Sequence, residues 1–312
     1  MFNPIILAGV FLGWGLGAND SANIFGTAVY TKVVKYRTAV VLTSIFVILG
    51  AVLNGNKGIE EVSHYAFESG IITSKSAFFV MFSAALTVAV MTVLKLPVST
   101  SQAVVGAIIG GGILKGTADF SAGTKFFGAW ILTPIGGLVF AFILHKIIAD
   151  IFGKKITNFK YYEVFVKSGY IIAGIFGAYS LGANNVANVM GIFAGQLNII
   201  SNFQGVLYGG FAIALGVITF SKPVMSTVGQ KIIVLSEIEG FIVVIAASLT
   251  VYIYALVGIP VSTSQAVIGA IIGIGIRVGV KTLNIKILRN IMLGWFGTPL
   301  VAGVISLVLS MI

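Results

Sequence analysis

The chain of 312 residues has no cysteine and two histidines. That leaves little material for a His/Cys metal site, a thiol nucleophile or a disulfide framework. Charged residues are scarce as well, at 9% of the chain against 58% apolar. No pairing of a nucleophile with a base suggests an enzyme, and the glycine runs near Gly110 and Gly273 lack the Lys-Ser/Thr ending of a phosphate-binding P-loop. What is abundant instead is apolar sequence in runs of about twenty residues, the length a helix needs to cross the hydrocarbon of a bilayer. The expected fold class is therefore an all-α polytopic membrane protein. The N-terminal stretch has no basic region ahead of its apolar run, so it is expected to be the first span and not a cleaved signal.

The chain repeats itself. "LPVSTSQAVVGAIIGGGI" from Leu96 returns as "IPVSTSQAVIGAIIGIGI" from Ile259, 163 residues on. "GANDSANIFG" at Gly17 is answered by "GANNVANVMG" at Gly182, and Trp130-Ile-Leu-Thr-Pro134 by Trp295-Phe-Gly-Thr-Pro299, each pair 165 residues apart. Two homologous halves, 1–146 and 168–312, are expected, joined by a polar linker over 147–167.

Five crossings per half are expected, at roughly 5–30, 38–54, 77–94, 97–114 and 126–146, then 168–196, 204–221, 238–257, 260–276 and 290–311. An odd number per half makes the repeats inverted. With both termini outside, only Lys57, Lys75, Lys115 and Lys125 of the 19 basic residues fall outside, and the other fifteen, Lys95, Lys154, Lys155, Lys281, Lys286 and Arg289 among them, fall on the cytoplasmic side with the linker. Topology thus accounts for the net charge of +10, and nucleic acid is not an expected partner. Glu60, Glu61, His64 and Glu68 are expected in a solvated outside loop.

Inverted repeats suggest a secondary transporter of the cell (inner) membrane, with its site near the midplane where broken or re-entrant helices expose their ends. Pro97 pushes Leu96 out of the α region, and Ser99, Thr100 and Ser101 are good starters for the helical run behind them. A helix beginning inside the membrane presents free N–H groups, hydroxyls and about half a positive charge, a ready anion site. The candidate anion-binding residues are Ser99, Thr100, Ser101 and Gln102 with Ser262, Thr263, Ser264 and Gln265. A bland alternative is that the hydroxyls only glue helices together.

"GANDSAN" puts Asp20, the one carboxylate expected at membrane depth, in an apolar span where a charge is costly. Asn and Gly there also disfavour a continuous helix, so free carbonyls are expected beside it. Carboxylate, amide and carbonyl oxygens are hard ligands suited to sodium, and the candidate cation residues are Asp20, Asn23, Asn185 and Asn188. An oxyanion with no lysine or arginine in its motifs needs helix ends and mobile cations to offset its charge, which implies sodium or proton symport. No other cofactor is expected.

These paired motifs resemble those of the inorganic phosphate transporter family of sodium- or proton-coupled symporters. The resemblance implies an inverted-repeat fold of twelve membrane segments including re-entrant hairpins, two more than the ten read from hydropathy, and commonly a homodimer. It implies phosphate on the two Ser-Thr-Ser segments, coupling cations near Asp20, Asn23 and Asn188, and a carboxylate at Glu60 with a role. Asn185 stands where relatives often carry aspartate, which leaves the ion and its stoichiometry open. The other readings are a transporter of sulfate or another oxyanion, and an anion channel.

Overall fold

The computed structural model describes residues 3–93, 98–152, 158–231, 235–279 and 285–312. The described residues are almost entirely helical. Eleven helices follow one another: α1 (Leu7–Tyr30), α2 (Tyr36–Asn54), α3 (Asn56–Glu68), α4 (Ser74–Val93), α5 (Thr100–Ile113), α6 (Phe120–Phe152), α7 (Phe159–Met190), α8 (Asn202–Lys231), α9 (Glu237–Val257), α10 (Thr263–Val278) and α11 (Ile285–Leu309). Seven of them contain stretches long and apolar enough to cross a membrane, and α5, α10 and Leu293–Leu309 of α11 are shorter apolar helices. Each of the ten expected crossings corresponds to one helix. The protein is a multi-pass helical membrane protein.

The packing is crosswise between the halves. α1 lies against α8, and α7, its counterpart by repeat, lies against α2; α6 packs on α10, and α11 on α5. Every one of these contacts joins the first half to the second, so neither half has a complete core of its own.

Repeated glycines explain how such helices approach. In lipid there is no hydrophobic drive to bring helices together, and close backbone contact through small residues replaces it. Gly17 faces the carbonyl of Ile213 and Gly182 that of Val47; Gly106 faces Pro299 and Gly269 faces Pro134. A Cβ at any of the four would overlap backbone. The glycine doublings seen in sequence are thus the seams between halves.

Three features differ from expectation. The stretch with Glu60, Glu61, His64 and Glu68 is not a loop but α3, an amphipathic helix that buries Ile59, Val62, Tyr65 and Ala66. The helical spacing of those four residues holds it down, although its polar composition hides it from a hydropathy reading. Second, α1 and α7 run unbroken through "GANDSAN" and "GANNVAN". Their asparagines bond to other side chains and segments instead of turning back on the local backbone, so the backbone carbonyls stay in the helix ladder. Third, α6 and α7 extend into the expected linker, which leaves 153–158 between them. Lys95, Leu96 and Pro97, together with Lys154, Lys155 and Lys281, lie outside the described residues, as do the side chains of Lys286 and Arg289.

Candidate functional site

α5 and α10 begin inside the protein. At about 1.5 Å per residue, the 14 residues of α5 and 16 of α10 reach about 21 and 24 Å, short of a hydrocarbon layer about 30 Å thick. Ser99 and Ser262 are their caps. Each is extended, with φ/ψ of −111°/114° and −84°/116°, and each hydroxyl accepts the N–H three residues on, from Gln102 at 3.4 Å and from Gln265 at 3.3 Å. The local sequence dictates this, since a serine cap satisfies one of the four orphan N–H groups of a helix start. Ser99 and Ser101 share a hydrogen bond of 3.2 Å. Ser99, Thr100, Ser101 and Gln102 are all buried, as are Ser262, Thr263 and Gln265; Ser264 is half-buried.

The second start is fixed by a residue whose role sequence reasoning missed. α9 ends on Gly258 at φ 83°, a left-handed position that glycine adopts without strain. The irregular segment Ile259–Val261 then leads to Ser262. Asn184 clamps it from α7, donating to the Ile259 carbonyl at 3.2 Å and accepting from the Val261 N–H at 3.0 Å. Its side-chain amide carries the donor and the acceptor that bridge the peptides on either side of Pro260. The repeated "GAN" flagged Asn184, but nothing in the sequence gave its partner. Its first-half counterpart, Asn19, donates to Thr92 on α4 at 3.3 Å.

Around this start the asparagine motifs of both halves converge. Asn23 of α1 donates to Ser264 at 3.2 Å and to the Asp20 carboxylate at 3.5 Å. Asn185 of α7 donates to the Thr263 hydroxyl at 3.3 Å, and Asn188 donates to the Asn185 oxygen at 3.1 Å. Asp20, Asn185 and Asn188 are buried, while Asn23 is half-buried. One helix start therefore gathers all four candidate cation residues through two short chains of hydrogen bonds, one ending on Ser264 and one on Thr263. α5 packs on α7 as α10 packs on α1, but no hydrogen bond among the described residues joins Ser99, Thr100 or Ser101 to this cluster.

The side-chain N–H groups of Asn23, Asn185 and Asn188 all donate, and buried oxygens remain unpartnered. Asn188 Oδ1, Ser21 Oγ, Gln102 Oε1 and Gln265 Oε1 are buried and have no hydrogen-bond partner. Buried acceptors without donors are costly unless something electropositive meets them. Such a set suits a hard cation or a ligand hydroxyl. The two glutamines also share a cleft of about 500 Å³ with Trp130, Trp295, Pro134 and Pro299, so the repeated Trp-x-x-Thr-Pro segments face the first turn of α5 and of α10.

The sequence matches the phosphate transporter family over residues 16–306. The chain belongs to that family. Within the phosphate transporter family, it is 30% identical to a candidate phosphate permease of Methanocaldococcus jannaschii, over 99% of this chain and 96% of that protein. It is 27% identical to a candidate phosphate permease of Pyrococcus furiosus, over 97% and 95%. It is also 28% identical to the sulfate permease CysP of Bacillus subtilis, over 97% of this chain and 86% of that one. A solved structure of a sodium-dependent phosphate transporter superposes with a TM-score of 0.84 over 98% of this chain and 97% of that one, at 20% identity. That likeness shows the fold of this phosphate transporter family member.

Proposed function

We propose that the protein carries inorganic phosphate into the cell by symport with sodium, protons being the other coupling ion the motifs admit. The observation that carries the proposal is the convergence on one buried helix start of Asp20, Asn23, Asn185 and Asn188. Phosphate sits at the starts of α5 and α10, on Ser99, Thr100, Ser101 and Gln102 and on Ser262, Thr263, Ser264 and Gln265. The cation sits beside it, on Asp20, Asn23, Asn185 and Asn188. Each offsets the other's charge in a region of low dielectric, which makes their binding mutually dependent. The crosswise packing of the halves supports inverted repeats, 1–146 and 168–312, that move against each other for alternating access. The distribution of lysine and arginine supports both termini outside and the linker in the cytoplasm. A homodimer is the assembly that the resemblance implies.

A sulfate reading is favoured by one observation, the similarity to a sulfate permease. Both anions are tetrahedral, but at neutral pH phosphate keeps a hydroxyl and sulfate does not. The unpartnered oxygens of Gln102, Gln265 and Asn188 can accept that proton, and a site built to accept a hydroxyl discriminates against an analogue that lacks it. Uptake of labelled phosphate into proteoliposomes is the test, with and without an inward sodium gradient and with excess sulfate. Gradient-driven accumulation that sulfate leaves intact is expected. Flux indifferent to any cation gradient would mean a channel, and equal competition by sulfate would favour the second reading.

A further inference from the structure

Far from the anion and cation motifs, a cleft of about 600 Å³ opens where the α1–α2 turn meets the beginnings of α2, α7 and α9. Its charged lining is mixed: Lys32, Lys35 and Lys167 with Glu163 and Glu237. Among the described residues, no ion pair within 4 Å joins any of the five. The turn that carries two of the lysines is tied back to α1 by backbone hydrogen bonds. Thr31, Lys32 and Val34 donate their N–H groups back to α1 at 2.9, 3.2 and 3.0 Å, and Val34 is buried. Lys32 is held at φ 62°, a left-handed conformation that a residue with a side chain seldom adopts. Lys35 occupies the cap position of α2 with no side-chain hydrogen bond to the helix start, whereas the start of α9 is closed by a capping box between Ser236 and Glu239. The open end of α2, with Thr38 beside it, therefore adds its partial positive charge to the two lysines.

The rest of the lining is apolar, with Val33, Val34, Val166 and Ile171. Tyr30 and Tyr161 are exposed at this level, with Tyr36 and Tyr162 partly covered beside them, and Val41, Val164 and Ile172 are exposed on the flanks of α2 and α7. Tyrosines above an apolar flank mark the boundary between lipid and water. A basic pocket at that level is placed to meet a lipid headgroup.

We propose that this cleft binds the headgroup of an aminophospholipid of the phosphatidylethanolamine class, its phosphate against Lys32, Lys35 and the start of α2, its ammonium against Glu163 and Glu237. The mixed charge selects the ligand. An anionic headgroup such as that of phosphatidylglycerol brings hydroxyls but no positive charge to meet the two carboxylates. A choline headgroup has no N–H to donate. Free phosphate lacks both an ammonium and a chain for Val33, Val166 and Ile171. Charge-assisted hydrogen bonds at both ends of a zwitterion satisfy Lys32, Lys35, Glu163 and Glu237 together.

Native mass spectrometry of the detergent-solubilised full chain, given equal amounts of phosphatidylethanolamine, phosphatidylcholine and phosphatidylglycerol with matched acyl chains, tests this. The ethanolamine adduct should exceed each of the others about tenfold, the worth of one charge-assisted hydrogen bond. Lys32→Ala with Lys35→Ala should lower every lipid adduct about tenfold, while Lys32→Arg with Lys35→Arg should retain them, which separates lost charge from lost fold. Glu163→Gln with Glu237→Gln should abolish the preference for ethanolamine over choline and keep binding. The proposal is overturned if phosphatidylglycerol binds as well as phosphatidylethanolamine, if the glutamine variant keeps the preference, or if millimolar inorganic phosphate displaces the lipid, which would make the cleft a site for the free anion.

Discussion

Thr100 and Thr263 open the two repeated helix starts, yet they stand differently in the structure, and replacing each by valine exploits the difference. The substitution keeps the shape and removes the hydroxyl. At Thr263 the hydroxyl accepts the Asn185 N–H at 3.3 Å. Its loss leaves a buried donor unpaired, on an Asn185 that is only 1% exposed. Hydrogen bonds between membrane helices are worth about 0.6 kcal/mol on average and about 1.7 at most. Thr263→Val should therefore lower the stability of the substrate-free protein by about 1 kcal/mol. Thr100 has no hydrogen bond from its hydroxyl among the described residues, and Thr100→Val should leave that stability unchanged. Both variants, on the two-sided anion site proposed above, should weaken phosphate binding about tenfold, the worth of one charge-assisted hydrogen bond. Thermal unfolding without phosphate and titration calorimetry with it separate the two effects. A Thr100→Val protein with full phosphate affinity would refute the two-sided site. Equal stability loss in both variants would refute the distinction between the threonines.

Gly17→Ala and Gly269→Ala place a Cβ into the carbonyls of Ile213 and Pro134, whereas nothing lies within 4 Å at Gly128. The first two should lose about 1–3 kcal/mol by overpacking and Gly128→Ala should gain up to about 1 kcal/mol of helix propensity, as read from thermal unfolding. Asn185→Asp adds a second buried carboxylate beside Asp20, so its melting temperature should be lower than that of the wild type without sodium and climb more steeply as sodium is added. Glu61 on α3 pairs with Lys125 on α6, each about one-third exposed. Lys125→Ala should cost no more than about 1 kcal/mol in the same assay, as exposed ion pairs do.

Composition and periodicity made much of this fold legible. Ten apolar segments correspond to ten helices because a bilayer admits few alternatives to a continuous helix, and Ser99 and Ser262 cap α5 and α10 because short hydroxyl side chains dictate that locally. The remainder was hidden for definite reasons. α3 escaped because its mean composition is polar and only the spacing of Ile59, Val62 and Ala66 betrays it. The helices of "GANDSAN" and "GANNVAN" look breakable in isolation, but tertiary packing at Gly17 and Gly182 and the engagement of their amides with other segments overrule propensity. Pairings across the repeat are not local at all: Asn23 meets Ser264, 241 positions away, and Asn184 meets the peptides around Pro260. A repeat announces that two like segments exist, whereas which segment faces which is decided by the packing of α1 on α10 and of α5 on α7.

On the proposed mechanism, a cation at the Asp20 cluster and an anion at the helix starts bind as one unit. Phosphate dissociation constants measured against sodium concentration at fixed pH, for the wild type and for Asp20→Asn, test it most directly. Linkage requires that the wild-type constant fall as sodium rises, and that removing the Asp20 charge both raise the constant and shift the sodium response to higher concentrations. A wild type and an Asp20→Asn protein with the same phosphate affinity and the same response to sodium would contradict the account.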